Sequence, residues 1–140
     1  MVVRVKVQVK RGDSIIETSA VANSGYETEA PEIHLPQALA RRLGFEISEA
    51  RGARYRVVGG FTSTYVLGEI LVRLITEDRQ TDWVKAKAVS VPDEYEVLLS
   101  DKLLDALNIE IVRAGEGLWR FHGEPIDRIR KSTKPQLWIT

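Results

Sequence analysis

Val3, Val5, Val7 and Val9 alternate with Arg4, Lys6, Gln8 and Lys10 at the start of the chain. No other feature constrains the fold as tightly. Side chains of a strand point to opposite faces in turn, so a period of two sends every valine to one side and every polar residue to the other. A helix would scatter the same valines around its circumference. Valine also favours extended backbone, because its branched Cβ restricts χ1 in a helix. The pattern predicts a half-buried strand. Arg11-Gly12-Asp13 supplies turn chemistry and Ser14 to Ala22 reads as a second strand, so a hairpin opens the chain.

The strand signal returns along the sequence. Asn23-Ser24-Gly25 is turn chemistry placed directly after the second strand. Ile33-His34-Leu35 is short and apolar. Pro36 reads as the first helical residue, where its missing N–H has no partner to lose. Leu39, Ala40 and Leu43 recur at helical spacing, and Gly44 ends that helix. Tyr55 to Val58, Ser63 to Leu67 and Glu69 to Ile75 read as strands, with a turn at Gly59-Gly60. Glu77 to Thr81 is a polar loop. Trp83 to Val91 alternates again until Pro92-Asp93. Glu96-Val97-Leu98-Leu99 reads as a buried strand end. Ser100 then caps a helix whose apolar face is Leu103, Leu104 and Leu107. Ile109 to Val112 and Leu118 to Phe121 form a hairpin around Gly115-Glu116-Gly117. A polar, basic stretch over 124–134 leaves room for a third helix near Ile126. Leu137-Trp138-Ile139 reads as a last short strand. The expectation is roughly eight to ten short strands and two or three short helices, a mainly β barrel or sandwich.

A chain of 140 residues is one domain, long enough for a hydrophobic core without staples. Cysteine is absent, which excludes a disulfide framework, a thiolate metal site and a cysteine nucleophile. The 20 basic and 20 acidic residues cancel, which argues against a generally basic nucleic-acid binder. The cancellation is uneven: residues 1–11 carry +4, residues 126–140 carry +3, and the body between them −7. The plain reading is a solvated, charge-rich surface; the sharper one is two basic ends meeting an acidic body, that of a second subunit included. No apolar run approaches the roughly 20 residues of a membrane span, and the alternating start is no secretory leader. A soluble, cytoplasmic protein is expected. His34 and His122 lie far apart, and nothing in the spacing suggests a metal or cofactor. Trp83, Trp119 and Trp138 read as core or interface anchors rather than a platform for bases.

Three segments in one order carry a family resemblance. The first is Ala20-Val21-Ala22-Asn23-Ser24-Gly25-Tyr26. The second is Val57-Val58-Gly59-Gly60-Phe61, between two strands. The third is Val97-Leu98-Leu99-Ser100-Asp101-Lys102-Leu103-Leu104. Together they resemble the retropepsin-like aspartic proteases, the single-lobed relatives of the pepsins. In that family an apolar strand ends in Asp-Thr/Ser-Gly, a glycine-tipped flap follows, and a later apolar strand runs into a short helix. The Leu-Pro and helix at Leu35 to Gly44 are also similar to cellular members. The resemblance spans about residues 2–112. It implies a closed retropepsin-type β-barrel over 1–112. Residues 113–140 would be a C-terminal hairpin and tail, packed on the same domain or in a dimer interface.

The resemblance further implies a two-fold dimer in which each subunit donates one Asp to a shared dyad. Two such carboxylates share one proton, so the charged one can take a proton from water while the neutral one polarises the scissile carbonyl. Here the matching position is Asn23. An amide is no base near neutral pH, so a homodimer would face Asn23 against Asn23. Ser24 and Gly25 keep the loop motif. The resemblance assigns substrate binding to Tyr26, Glu27, Gly59, Gly60 and Phe61. Tyr26 replaces a small residue and would crowd the cleft. Ser100-Asp101 stands where the family has Gly-Arg, so Asp101 would meet Glu27 as a like charge.

Three functions compete. The first is a homologue without peptidase chemistry that binds an extended peptide or protein segment in a dimeric groove, its interface buried by Trp138 and the Val3–Val9 strand. The second is an active aspartic-type endopeptidase, with Asn23 deamidated to Asp, or with Glu27 or Asp101 supplying a carboxylate. The third is a small barrel that binds nucleic acid through its basic ends, against which the zero net charge and sparse aromatics count.

Overall fold

In the computed structural model, the valine alternation forms β1 (Arg4–Arg11), hairpin-paired with β2 (Ser14–Ala22). The structure describes residues 2–47, 51–57 and 60–139, with backbone alone for 51–57 and 60–63. The antiparallel register runs from Arg4 opposite Val21 to Arg11 opposite Ser14. Gly12, at φ +59°, takes the left-handed turn position that a side chain would strain. Then follow β3 (Glu32–His34), α1 (Gln37–Arg42), β4 (Arg51–Val57), β5 (Gly60–Ile75), β6 (Val84–Ser90), β7 (Val97–Leu99) and α2 (Asp101–Ala106). The chain ends with β8 (Ile109–Arg113), β9 (Leu118–Phe121) and β10 (Arg130–Lys131).

The first seven strands form one sheet in the order β1-β2-β7-β3-β6-β5-β4. A further ladder, Lys6–Lys10 of β1 against Leu71–Ile75 of β5, joins the sheet to itself. The result is a closed six-strand mixed barrel, with β4 outside the ring as the partner of the free half of β5. β2–β7 and β3–β6 are parallel and the other ring pairings antiparallel. The fold is mainly β, a closed barrel with two short helices, of the kind that the sequence resemblance implies.

Val5, Val7 and Val9 of β1, with Val3 just ahead of it, belong to the core and are essentially inaccessible. Each such side chain is stabilised by roughly 1.5–3 kcal/mol relative to exposure, as an upper estimate. Leu39 and Ala40 of α1 and Leu103 and Leu104 of α2 pack into the same core. β8, β9 and β10 make a second, three-stranded sheet, whose Trp119 and Phe121 join that core edge to face at 5.1 Å. Among the described residues no helix is long and apolar enough to cross a membrane.

Several local expectations are corrected. Pro36 is the helix N-cap, at φ −53° and ψ 148°, one residue ahead of the helix proper. The Leu35 N–H is still bonded to Val89 O at 2.8 Å, which keeps the chain extended to that point. The strands expected on either side of Gly68 are one 16-residue strand. Gly68, at φ +143°, absorbs a register shift between Val66 and Gly68, so the ladder with β6 continues through the glycine. The segment around Ile126 is not helical; Ile126 is 83% exposed and buries no apolar face to support a helix. Residues 137–139 are not a strand. Trp138 instead donates its backbone N–H to Tyr95 O at 2.8 Å and its indole N–H to Thr18 Oγ1 at 2.9 Å. β1 is not an open edge awaiting a partner subunit, because β2 and β5 occupy its two sides.

His34 connects β3 to the loop after β6. Its Nδ1 accepts from the Val91 N–H and its Nε2–H meets Glu94 O, both at 3.2 Å. Burial pushes its pKa down to about 4, against a smaller upward pull from the Glu94 carbonyl. The unfolded chain, titrating near 6.5, then binds the proton more tightly between those values. The contribution of His34 is full above pH 6.5 and declines as pH falls towards 4, by about 3 kcal/mol in total. Urea unfolding between pH 4.5 and 7 should show this decline. His34→Asn, which keeps an acceptor but does not titrate, should flatten it; an unchanged slope in that variant would refute the assignment.

Candidate functional site

The parallel ladder of β2 with β7 ends at Ala22 opposite Leu99. The Asn23 N–H still donates to Leu99 O, at 3.3 Å, and there the chain leaves the sheet. Asn23 then folds its own turn. Its Oδ1 accepts from the Gly25 N–H at 3.1 Å, and its carbonyl accepts from the Tyr26 N–H at 3.1 Å. A short side chain with an acceptor oxygen near the backbone is what this turn requires. Asn and Asp both meet that requirement. Asn23 is half-buried, while Ser24, Gly25 and Glu27 are exposed.

The start of α2 grips the loop from behind. Ser100 exchanges two bonds with Glu32: its N–H donates to Glu32 O at 3.1 Å, and its Oγ accepts from the Glu32 N–H at 3.0 Å. The same Oγ caps α2 by accepting from the Leu103 N–H at 3.3 Å. Asp101 donates its N–H to Tyr26 O at 2.9 Å, and its Oδ1 accepts from the Thr28 N–H at 3.1 Å. Oδ1 also receives the Lys102 N–H at 2.7 Å. Asp101 therefore has partners of its own beside the loop that carries Glu27. It accepts backbone donors of the loop, which a carboxylate can do and an arginine cannot.

Tyr26 turns towards β3. Its hydroxyl donates to the Glu32 carboxylate, which Lys87 approaches at 3.8 Å. Glu32 is only 5% exposed, an unusual place for a carboxylate without partners, and these two supply them. The strand signal around Ile33 carries no hint of this role, since Tyr26 and Glu32 lie in a stretch with no periodicity. Ser100 is legible as a cap, but its bridge to β3 is not.

Chemically, the turn presents an amide whose oxygen is engaged and whose NH₂ can donate. It can hydrogen-bond a peptide carbonyl but cannot act as a general base. The carboxylates tied into the loop, Glu32 and Asp101, are already occupied by the Tyr26 hydroxyl and by backbone N–H groups. Of the other sequence candidates, Gly60 and Phe61 begin β5 opposite Val57 and Arg56. Gly59 and the Phe61 side chain lie outside the described residues, so the turn expected at the hairpin tip does as well.

No family model matches the sequence, and no curated protein matches it. Among solved structures, a retropepsin-like aspartic protease from Rickettsia conorii is similar, with a TM-score of 0.47 and 15% sequence identity. The match covers 79% of this chain and 76% of that one.

Ser100→Ala removes the helix cap and the acceptor for a buried Glu32 N–H together. We expect a loss of about 2 kcal/mol in urea unfolding, more than a cap alone would cost. Amide exchange at Glu32 and Leu103 should rise in step. A loss within error of zero would show that water or a rearranged backbone replaces the hydroxyl.

Proposed function

We propose that this protein is a retropepsin-like aspartic protease homologue without peptidase activity, which binds an extended peptide or protein segment in a groove shared by two subunits. The observation that carries the reading is the Asn23 turn. It closes a buried strand, is anchored from beneath by α2, and leaves Ser24 and Gly25 exposed. A segment in extended conformation would be held there by backbone hydrogen bonds, with the Asn23 NH₂ as one donor. An amide at this position can hold a carbonyl but cannot take a proton from water, so binding would persist where hydrolysis does not.

The turn geometry makes the test direct, because Asp fits it as well as Asn. Native protein, Asn23→Asp and Asn23→Ala are compared on a mixed peptide library from pH 3 to 8. Cleavage is expected from Asn23→Asp alone, about a hundredfold or more above the native protein, and in an acidic window where the paired carboxylates share one proton. Cleavage by the native protein that disappears in Asn23→Ala would overturn the reading and make the chain an active peptidase. Sedimentation at micromolar concentration addresses the groove: a strict monomer would remove its shared character.

A further inference from the structure

A cleft of about 670 Å³ opens beside β1, between that strand, the end of β5 and the segment around β10, and no residue of the Asn23 turn lines it. Its volume suits a small ligand. Five cations line it, Arg4, Lys6, Arg128, Arg130 and Lys131, against three acids, one of them Asp78. The cations come from separate segments and converge on one space. We propose that this cleft binds a small phosphate-bearing ligand, independently of the Asn23 turn.

The way the charges are already used supports that choice. Two forked arginines, which could grip a carboxylate or a phosphate bidentately, are filled from within the chain. Arg4 grips Glu96 through Nε at 2.7 Å and Nη2 at 3.0 Å. Arg130 grips Asp78 at 2.7 and 3.2 Å and Glu124 at 3.1 Å. The Arg130 guanidinium holds the Asp78 carboxyl well below the usual carboxylate range, so Asp78 stays charged and in place. What remains for a ligand is different in kind. Lys6 is half-exposed and pairs loosely with Glu17 at 3.8 Å, and Lys131 is exposed. Arg128 spends Nη2 on Asp78 at 2.8 Å while half its side chain faces water. Two ammonium point charges and a half-engaged guanidinium, arriving from several directions, match a multiply charged tetrahedral oxyanion better than a carboxylate. Asp78 sits among them as an internal competitor for Arg128.

The test is calorimetric titration of the full chain with pyrophosphate, inorganic phosphate and succinate at one ionic strength set by sodium chloride. Saturable pyrophosphate binding is expected, stronger than succinate and stronger than inorganic phosphate. Lys6→Gln combined with Lys131→Gln should weaken it about tenfold or more. Asp78→Asn should strengthen it several-fold by releasing Arg128, and Asn23→Ala should leave it unchanged. The double lysine variant alters exposed side chains only, so it stays interpretable if Asp78→Asn loosens the C-terminal segment. Absence of saturable binding, equal affinity in the double variant, or succinate binding as tightly as pyrophosphate would each overturn the proposal. Displacement of pyrophosphate by a tighter-binding oligothymidylate would overturn it in favour of a nucleic-acid surface.

Discussion

β1 carries a ladder on each side, and the architecture depends on that double pairing. A sheet with one free edge would leave backbone donors and acceptors in water and its inner face half-covered. Joining β1 to β5 removes that edge within the ring and encloses one apolar interior. It also dictates which residues β1 can bear. The inward positions must be apolar and must fit beside Val72 and Leu74 of β5, while the outward positions stay free for Arg4 and Lys6. Beyond the stretch covered by β6 and β1, β5 continues as a two-stranded ladder with β4, outside the ring.

The second dependence is smaller in scale. Ser100 sits where β3, α2 and the loop from β2 meet, and one hydroxyl serves two N–H groups there. Asp101 next to it satisfies the Thr28 N–H. These bonds hold the Asn23 turn without drawing on the Asn23 side chain, whose oxygen closes the turn by itself. Scaffold and chemistry are therefore separable at this position. The backbone asks only for a short side-chain acceptor, whereas proton transfer would require a carboxylate.

The uneven charge of the sequence finds partners inside the subunit. Arg4 from the basic N-terminal stretch pairs with Glu96, and Arg128 and Arg130 from the basic C-terminal stretch pair with Asp78. Arg79 and Arg130 share Glu124, and both guanidinium groups lie over the Phe121 ring, at 4.1 and 4.9 Å. Single exposed pairs contribute little, but here a partly buried arginine stacks on an aromatic face and grips two acids at once. This cluster, with the Ser132 bond to the Arg4 N–H at 2.9 Å, ties the last segment to the barrel.

What the sequence determined by itself was whatever depends on neighbours a few residues apart. The valine period placed β1 and its inner face, Gly12 placed the hairpin, Ser100 placed a helix start, and Asn23-Ser24-Gly25 placed a turn. Each rests on local geometry or a local hydrogen bond. Tertiary structure decided the rest. Ring closure sets Gln8 opposite Arg73, 65 positions away, and no local pattern records that β1 meets β5. Gly68 read locally as a break and proved to be a bulge, because the ladders on both sides carry the strand through it. The Trp138 segment read as a strand but is pinned by Tyr95 and Thr18, a pairing that depends on where the tail is carried. Asp101 looked like a misplaced charge until the loop brought the Thr28 N–H to it, since a side chain's role is set by the donors that folding places within its reach.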